Sequence, residues 1–286
     1  MVVVVVCAAA SVACGAALRD TPRAAAGCTP LPAGTHRIAV QAGRVPVVLH
    51  VPPRLRTGGP IVLALPGAGQ TARAFAAYTG LSRLADAEHV AVAYATADGS
   101  KPFWNITDHV PGRPQDVPYL RTVIPAVVRS ACADPGRVGV TGVSNGGGMN
   151  ARMACDAADL VAAAAPVAGG YGALPDCHPS RAVPILEIHG TADQVVPYNG
   201  RGSPVRGDVA SFLAQWRRLD GCTGGPAERR VTRAVTELRS TRCAGGTQVV
   251  HDRVEGQQHG WPGEDDLDAA FSATLRTFRF LTSFRR

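Results

Sequence analysis

The chain has 286 residues, of which 46% are hydrophobic, 5% aromatic and 18% charged, which provides for a large core and excludes intrinsic disorder. Its 32 Gly and 22 Pro follow no repeat, so the chain is neither collagen-like nor a linker. The net charge of +7 does not predict a nucleic-acid partner, because the basic residues are scattered and no nucleic-acid-binding motif occurs.

Residues 1–27 are predicted to form an export leader. Residues 2–18 carry no charge, and small residues surround positions 24–26, as at a signal cleavage site. The basic residues that usually begin such a signal do not follow Met1. Residues 11–14 loosely resemble a lipoprotein cleavage box. Secretion is therefore the first expectation, and a lipid anchor at Cys14 is the alternative.

After residue 28, strand-like and helix-like segments alternate along the chain. Several of the strand-like segments are continuous apolar runs, as in strands buried on both faces. The alternation predicts a single α/β domain over residues 28–286, with a mostly parallel sheet covered by helices. The strands are predicted over 37–40, 45–51, 61–65, 90–95, 137–143, 161–167, 183–189 and 248–254, and the helices over 72–88, 116–131, 145–155, 208–219 and 265–281.

Removal of the leader leaves six of the eight cysteines, and an even number in an exported chain predicts disulfides. Cys222 and Cys243 flank a short polar, Arg-rich segment and are the predicted pair. The pairing of the other cysteines stays open, and buried free thiols are the alternative. No Cys-x-x-Cys occurs and the histidines lack metal-ligand spacing, so no metal site is expected. The unpaired set is Cys28, Cys132, Cys155 and Cys177.

The segment Gly142-Val143-Ser144-Asn145-Gly146 matches Gly-x-Ser-x-Gly and lies between a predicted strand and a predicted helix. A nucleophile elbow requires that order, with neighbours that lack side-chain bulk in a sharp turn. The turn places the Ser144 hydroxyl above the sheet, at the positive end of the following helix. A glycine-rich turn in which Ser144 merely caps the helix is the alternative.

A serine hydroxyl needs a base that a third group orients. Asp193 directly follows one predicted strand and His259 lies in the loop after another, so both lie where parallel sheets form their sites. The order Ser, acid, His along the chain is the one that accompanies this elbow. His189 and His251 lie within predicted strands, and we expect structural roles for them. Asp208 is a rival acid that begins a predicted helix.

A tetrahedral intermediate needs two backbone N–H groups aimed at its negative charge. The first is expected from Asn145, directly after the nucleophile. The second is expected from the loop 66–71, Pro-Gly-Ala-Gly-Gln-Thr, in which two glycines let the backbone approach a substrate. Ala68 is the preferred donor, with Gly69 and Gln70 behind it, and an ordinary strand-to-helix turn is the alternative.

These motifs together resemble the esterase/polyhydroxybutyrate depolymerase family, which includes feruloyl-esterase-like secreted enzymes. The resemblance implies an α/β-hydrolase fold and a serine esterase without metal or organic cofactor. It also implies that Ser144, Asp193 and His259 form a catalytic triad. The elements that carry it are Gly-Val-Ser-Asn-Gly-Gly-Gly-Met at 142–149, His-Gly-Thr-Ala-Asp at 189–193, Val-Pro-Tyr at 196–198 and His-Gly-Trp-Pro-Gly at 259–263.

One departure from the family concerns the oxyanion loop, where relatives usually carry His-Gly and this chain has Pro66-Gly67. Because Pro66 supplies neither an N–H nor a side-chain donor, we expect a less well braced loop. The alternative is that its neighbours accommodate Pro66 and that the ring already rigidifies a competent loop. We expect Trp104 and Trp261 to form an apolar wall for the substrate, with core packing as the alternative. Tyr198 and Gln70 complete the expected substrate-binding residues.

The sequence thus predicts a secreted, monomeric serine esterase that acts through an acyl-enzyme. Its expected substrates are polyhydroxybutyrate oligomers, feruloyl or other aryl esters, or short-chain esters. No nucleic-acid partner is expected, and no stable membrane partner unless Cys14 carries a lipid. The alternatives are a prolyl-oligopeptidase-like serine peptidase, which needs a large extra domain, and a hydrolase-fold binding protein impaired in catalysis.

Overall fold

The computed structural model describes residues 27–106, 115–172, 174, 176–201, 207–263 and 271–286. Its strands are β1 (Gly34–Ile38), β2 (Val47–Val51), β3 (Ile61–Leu65), β4 (Ala91–Tyr94), β5 (Val138–Val143), β6 (Ala163–Val167), β7 (Ile185–Gly190), β8 (Ala227–Arg230), β9 (Val235–Ser240) and β10 (Val249–Val254). Its α-helices are α1 (Ala72–Thr79), α2 (Leu81–Glu88), α3 (Asp116–Ala131), α4 (Asn145–Asp156), α5 (Val209–Leu219) and α6 (Ala273–Thr282).

The strands form one sheet in the order β1-β2-β4-β3-β5-β6-β7-β10-β9-β8. The six strands from β4 to β10 in that order run parallel, and antiparallel pairs lie at both ends of the sheet. The predicted mostly parallel α/β sheet is therefore confirmed. The carboxyl ends of the parallel strands share one edge of the sheet, which we call the carboxyl edge.

The central strands are buried on both faces, which explains their continuous apolar sequences. On one face they pack against α3, α4 and α5, through side chains such as Leu120, Met149 and Trp216. On the other face they pack against α1, α2 and α6, through side chains such as Phe75 and Phe278. The helices thus enclose the sheet and leave its carboxyl edge as the place where loops converge.

Three predicted elements differ from the structure. The helix predicted over 72–88 is two helices, because Gly80 adopts a left-handed conformation with φ of 62° and ends α1. The first strand lies at Gly34–Ile38, earlier than predicted. The hairpin of β8 and β9 was not predicted, because β8 is an exposed edge strand without apolar alternation. The helix predicted over 265–281 starts later, because Ser272 caps α6 and the helix begins at Ala273; residues 264–270 lie outside the described residues.

All six cysteines of the predicted domain are paired. Cys222 and Cys243, the pair that the sequence favours, are joined. The other two disulfides join Cys28 to Cys132 and Cys155 to Cys177, across sequence separations of 104 and 22 residues. Each closed loop lowers the entropy of the unfolded chain, and the 104-residue loop does so most.

The predicted leader lies outside the described residues except for Gly27, and the lipid-anchor alternative at Cys14 lies outside them too. Within the described ranges, no helix is both long enough and apolar enough to cross a bilayer. The same part of the chain contains no cluster of three or more His, Cys, Asp or Glu side chains arranged to hold a metal ion.

Asp220 is a buried carboxyl group, and only one of its two oxygens has a hydrogen-bond partner among the described residues. It ends α5, and its Oδ1 accepts a hydrogen bond of 3.0 Å from the Val183 backbone N–H. Its Oδ2 has no partner among the described residues. Burial raises the pKa of Asp220 to about 7, against the opposing effects of the Val183 N–H and of Arg181. The folded protein therefore favours the neutral carboxyl.

We expect the contribution of Asp220 to the free energy of unfolding to fall as the pH rises from about 4 to about 7, because Asp220 binds its proton more tightly in the folded chain than in the unfolded chain. Asp220→Asn should remove this part of the pH dependence and raise the stability at pH 8 relative to wild type. Urea unfolding at pH 5 and pH 8 measures it, with the exposed Asp176→Asn as control. An unchanged pH dependence in Asp220→Asn would contradict the prediction.

Candidate active site

Ser144 lies in the sharp turn between β5 and α4, with φ of 57° and ψ of −121°. Few residues other than glycine adopt a positive φ, so the conformation is strained and must be held by its surroundings. A Cβ on Gly142 would lie 2.5 Å from the Gly146 carbonyl oxygen, and one on Gly146 would lie 2.1 Å from the Leu65 carbonyl oxygen. The turn therefore admits only glycine at these two positions.

The first turn of α4 lies directly against the backbone that follows β6. A Cβ on Gly147 would lie 2.8 Å from the Val167 carbonyl oxygen, and one on Gly148 would lie 2.3 Å from the Gly170 carbonyl oxygen. The glycine run lets the helix approach this closely. Asn145 is the first residue of α4, so its N–H has no acceptor within the helix and is available as the first oxyanion donor.

Asp193 and His259 are in direct contact. The His259 ring nitrogen Nδ1 lies 2.7 Å from Asp193 Oδ2, and the other carboxylate oxygen accepts the backbone N–H groups of Val195 and Val196 at 2.9 and 2.8 Å. The Asp193 side chain is fully buried, whereas the His259 side chain is 20% exposed. The carboxylate is thus fixed from one side and presents its second oxygen to the imidazole.

Ser144, Asp193 and His259 follow β5, β7 and β10, three parallel strands of the same sheet. They therefore lie at the carboxyl edge, as the sequence predicts. Within the described residues, Ser144 Oγ makes no hydrogen bond to His259. Such contacts are often long before a substrate binds, so the pairing of Ser144 with His259 stays a prediction.

The loop 66–71 lies beside Ser144, since a Cβ on Gly67 would be 3.4 Å from the Ser144 Cβ. The N–H of Ala68 donates to no acceptor among the described residues, which leaves it available for an oxyanion. Ala68 is exposed and so can face a substrate. The other three N–H groups of residues 67–70 already donate: Gly67 to Gln70 Oε1 at 3.0 Å, Gly69 to the Pro102 carbonyl at 2.7 Å and Gln70 to the Gly67 carbonyl at 3.1 Å.

Trp104 differs from the expected apolar wall, because it is only 1% exposed. Its indole N–H donates to the Pro66 carbonyl at 2.9 Å, and its backbone N–H donates to Asn145 Oδ1 at 2.7 Å. The Asn145 amide in turn donates to the Trp104 carbonyl at 3.1 Å. Trp104 thus ties together the two segments that carry the expected oxyanion donors. The Pro66 carbonyl is thus held by Trp104, and a loop less well braced than in relatives stays a prediction.

Trp261 is also buried, at 4% exposure, and does not form the expected wall. Its indole N–H donates to Thr274 Oγ1 at 2.9 Å, and its ring packs edge-on against Phe75. Its backbone N–H donates to the Tyr78 hydroxyl at 2.7 Å. Trp261 therefore fastens the loop that carries His259 to α1.

The two remaining predicted substrate residues have partners within the protein. Gln70 is half-buried and accepts the Gly67 N–H, which braces the oxyanion loop. The Tyr198 hydroxyl lies 2.7 Å from His251 Nε2, and burial raises the pKa of Tyr198 to about 12. Tyr198 lines an open cleft together with Asp193, so it lies close to the expected chemistry.

Sequence reasoning missed three exposed apolar side chains at the carboxyl edge. Tyr78 is 49% exposed and bonded to the His259 loop, Phe103 is 41% exposed beside Trp104, and Val195 is 59% exposed beside Asp193. The described residues contain only one other exposed large apolar side chain, Val45. The signal in the sequence is weak, because single apolar residues outside the periodic segments are common on protein surfaces.

No protein-family model matches the chain. A protein named "Putative esterase NocK" from Nocardia uniformis subsp. tsuyamanensis is 32% identical over 259 residues, which cover 80% of this chain and 74% of that protein. Poly(3-hydroxyalkanoate) depolymerase C of Paucimonas lemoignei is 32% identical over 133 residues, or 45% of this chain and 32% of that protein. The chain belongs to the esterase/polyhydroxybutyrate depolymerase family. It is accordingly assigned to the carboxylic-ester hydrolases.

Another member of this esterase family, feruloyl esterase B of Piromyces equi, is 35% identical over 160 residues. These residues cover 50% of this chain and 28% of that protein, so the chain spans about a third or less of the feruloyl esterase and of the depolymerase. Among solved structures, an acetyl xylan esterase from Aspergillus awamori superposes with a TM-score of 0.65 at 15% identity, over 79% of this chain and 94% of that one. The α/β-hydrolase fold is therefore confirmed.

We expect Trp104→Phe to lower kcat by up to about tenfold with KM little changed. The substitution keeps most of the buried ring and removes one hydrogen bond to Pro66, whose net contribution is about 0.5–1.5 kcal/mol. Steady-state kinetics on a simple ester measure it. Trp216→Phe is the matched control, because Trp216 is a fully buried indole on α5. A raised KM with unchanged kcat would instead make Trp104 a substrate contact.

Proposed function

We propose that this esterase family member hydrolyses carboxylic esters by serine catalysis, through an acyl-enzyme. The observation that carries the proposal is the 2.7 Å contact between His259 and the buried Asp193, at the sheet edge that also carries the strained Ser144 turn. A strained residue, an oriented imidazole and a buried carboxylate at one edge are the parts that nucleophilic catalysis by serine requires.

In the proposed reaction, Ser144 Oγ attacks the ester carbonyl and His259 accepts the hydroxyl proton. Because Nδ1 of His259 is engaged by Asp193, its Nε2 is the nitrogen left to act as base. The N–H groups of Asn145 and Ala68 stabilise the oxyanion of the tetrahedral intermediate. Collapse expels the alcohol, which takes the proton from His259. Water then attacks the acyl carbonyl while His259 accepts its proton. The bond from the acyl carbon to Ser144 Oγ breaks, His259 returns the proton to Oγ, and the acid leaves.

Asp193 supports this cycle through its charge. Burial favours the neutral carboxyl, but hydrogen bonds from His189, His259 and the Val196 N–H outweigh it and hold the pKa of Asp193 well below its usual range. The carboxylate therefore stays ionised at neutral pH. An ionised Asp193 fixes the tautomer of His259 and stabilises the imidazolium that forms in the transition state.

The proposed substrates are esters with an apolar or aromatic acyl group, such as polyhydroxybutyrate oligomers, feruloyl or aryl esters, and short-chain esters. Tyr78, Phe103 and Val195 support this choice, since they place exposed apolar surface around the catalytic residues. We further propose that residues 28–286 act as one catalytic domain and as a monomer. The printed names of the relatives, feruloyl esterase and poly(3-hydroxyalkanoate) depolymerase, agree with these substrate classes.

Secretion is the proposed location of the mature chain. The three disulfides support it, because disulfides persist in oxidising compartments. A lipid anchor at Cys14 stays the alternative. The peptidase and the impaired-binding-protein alternatives are less well supported, since the named relatives are esterases and depolymerases and the Pro66 carbonyl is held by Trp104.

We expect Ser144→Ala to lower kcat/KM on a generic aryl ester by at least about a thousandfold, because no nucleophile is left. His259→Ala should cost about as much, since the two residues act as one unit, and Asp193→Asn somewhat less. Asp208→Asn is the matched control for the acid, because Asp208 caps α5 through the Ser211 N–H. Substantial activity in folded Ser144→Ala, or a larger loss in Asp208→Asn than in Asp193→Asn, would refute the assignment.

A second experiment compares substrate classes with the unmodified enzyme. We expect turnover of aryl acetates and butyrates, of methyl ferulate or of 3-hydroxybutyrate dimers and trimers, and no cleavage of peptide anilides. Phe103→Ser should raise KM for the aromatic or longer esters more than for an acetate, because it removes exposed apolar surface beside the site. Peptide cleavage faster than ester cleavage would favour the peptidase alternative.

A further inference from the structure

A row of buried ionisable side chains leads from the interior of the sheet to Asp193. Glu187 and His189 lie on β7 and His251 lies on β10, and none of the three is more than 1% exposed. In the catalytic cycle described above, His189 enters only as one of the donors that keep Asp193 ionised, and Glu187 and His251 have no role. Burying charged groups is costly unless each is paired, so the pairing in the row determines what it does.

Both ring nitrogens of His189 face groups that accept hydrogen bonds. Nε2 lies 2.9 Å from the Val196 carbonyl oxygen and 3.3 Å from Asp193 Oδ2. Nδ1 lies 3.0 Å from Glu187 Oε1. The Val196 carbonyl has no proton to donate, and neither have the two carboxylates when they are ionised. Both ring nitrogens of His189 must therefore carry protons. The contacts therefore describe His189 as an imidazolium.

Glu187 is the carboxylate that holds this charge. Its Oε1 also accepts the Tyr171 hydroxyl at 2.6 Å, and its Oε2 lies 2.5 Å from His251 Nδ1. Burial favours the neutral carboxyl, but the two histidines outweigh it and lower the pKa of Glu187 to about 2. Burial likewise opposes the charge on His189, but its bonds to Asp193 and Glu187 raise its pKa to about 10. The electrostatics agree with the contacts.

Asp193 Oδ2 consequently faces two imidazole rings. His259 lies 2.7 Å from this oxygen and His189 lies 3.3 Å from it. The first ring must change its charge during the proposed reaction, whereas the second keeps its charge. The fixed positive charge of His189, beside the oxygen that both rings share, weakens the attraction between Asp193 and a protonated His259.

We propose that His189, held as an imidazolium by Glu187, is a positioning residue of the esterase reaction that fixes Asp193 and neutralises part of the charge it presents to His259. The proposal rests on the proposed function, because it acts through Asp193 and His259. Two consequences follow. His259 is a weaker base and stays neutral to a lower pH, and Asp193 stays ionised although it is buried. Both consequences extend activity toward acid.

The two tyrosine rings that face His189 do not change charge near neutral pH. The Tyr171 ring, from the segment after β6, and the Tyr198 ring, from the loop after β7, lie 6.3 and 5.9 Å from the His189 ring. Burial keeps the pKa of Tyr171 well above its usual value and raises that of Tyr198 to about 12. His251 contacts Glu187 and Tyr198, and among the described residues it makes no contact with Asp193.

The pH profile of kcat/KM tests the proposal in a double variant, His189→Gln with Glu187→Gln. This variant removes the buried charge pair together, so neither charge is left unpaired, and both amides can still form hydrogen bonds. The acid limb of the profile should move to higher pH by about half a unit to one unit, because His259 becomes more basic and Asp193 easier to protonate. A purely structural role would lower kcat at every pH and leave the limb in place.

The matched control is His251→Gln, which alters the same Glu187 without touching Asp193. Its acid limb should coincide with that of the wild type. An unmoved limb in the folded double variant would overturn the proposal, and so would an equal displacement in His251→Gln. Loss of the Ser144→Ala effect would refute the proposed function instead, so the two failures are distinguishable.

A measurement on the unmodified protein keeps the proposal testable if the double variant does not fold. Nitrogen-15 NMR of histidine-labelled protein reports which ring nitrogens carry protons between pH 6 and pH 9. We expect one histidine, buried and protected from exchange, to stay doubly protonated through pH 8.5. If every histidine is neutral at that pH, His189 carries no fixed charge and the proposal is wrong.

Discussion

The close approach of the first turn of α4 to neighbouring backbone is the constraint on which the catalytic edge depends. Carbonyl oxygens of Leu65, Pro66, Val167 and Gly170 lie where Cβ atoms would otherwise be, which requires glycine at 142 and 146–148. The same approach forces Ser144 into a positive φ and leaves the Asn145 N–H without a helical partner. Sterics in the core thus shape both the half-buried Ser144 turn and the start of the helix that carries its neighbouring donor.

Hydrogen bonds from Trp104 extend that constraint to the second donor segment. Asn145 uses its side chain on the Trp104 backbone, and the Trp104 indole reaches the Pro66 carbonyl. A proline can occupy the start of the loop because the interaction uses its carbonyl oxygen, which every residue has.

The fold and the triad candidates could be predicted from the sequence because they depend on local patterns. Apolar runs mark buried parallel strands, and Ser144, Asp193 and His259 each follow such a run. The role of Trp104 could not be predicted from the sequence, because a tryptophan beside a site has the same sequence signal whether it lines a pocket or packs in the core. Its burial depends on Asn145, 41 residues away along the chain.

Charge pairing and cysteine pairing were hidden from the sequence for the same reason. His251 looks like a strand residue, and only the pairing of β7 with β10 shows that its Nδ1 meets the Glu187 carboxylate. The cysteines left open by spacing, Cys28, Cys132, Cys155 and Cys177, are joined by tertiary proximity. The hairpin of the exposed β8 and the mostly buried β9 was not predicted, because the pairing of β9 with β10, rather than an apolar pattern, defines it.

The disulfide between Cys28 and Cys132 also determines at which end of the sheet Cys28 lies. Cys132 follows α3, and its carbonyl accepts the N–H of Gly58, just before β3, so the bridge lies at the amino ends of the parallel strands. Cys28 therefore lies at the end of the sheet opposite the edge that carries Ser144 and His259. A short tether to a cell surface at that end would point the catalytic groups outward, toward the medium and whatever esters it contains.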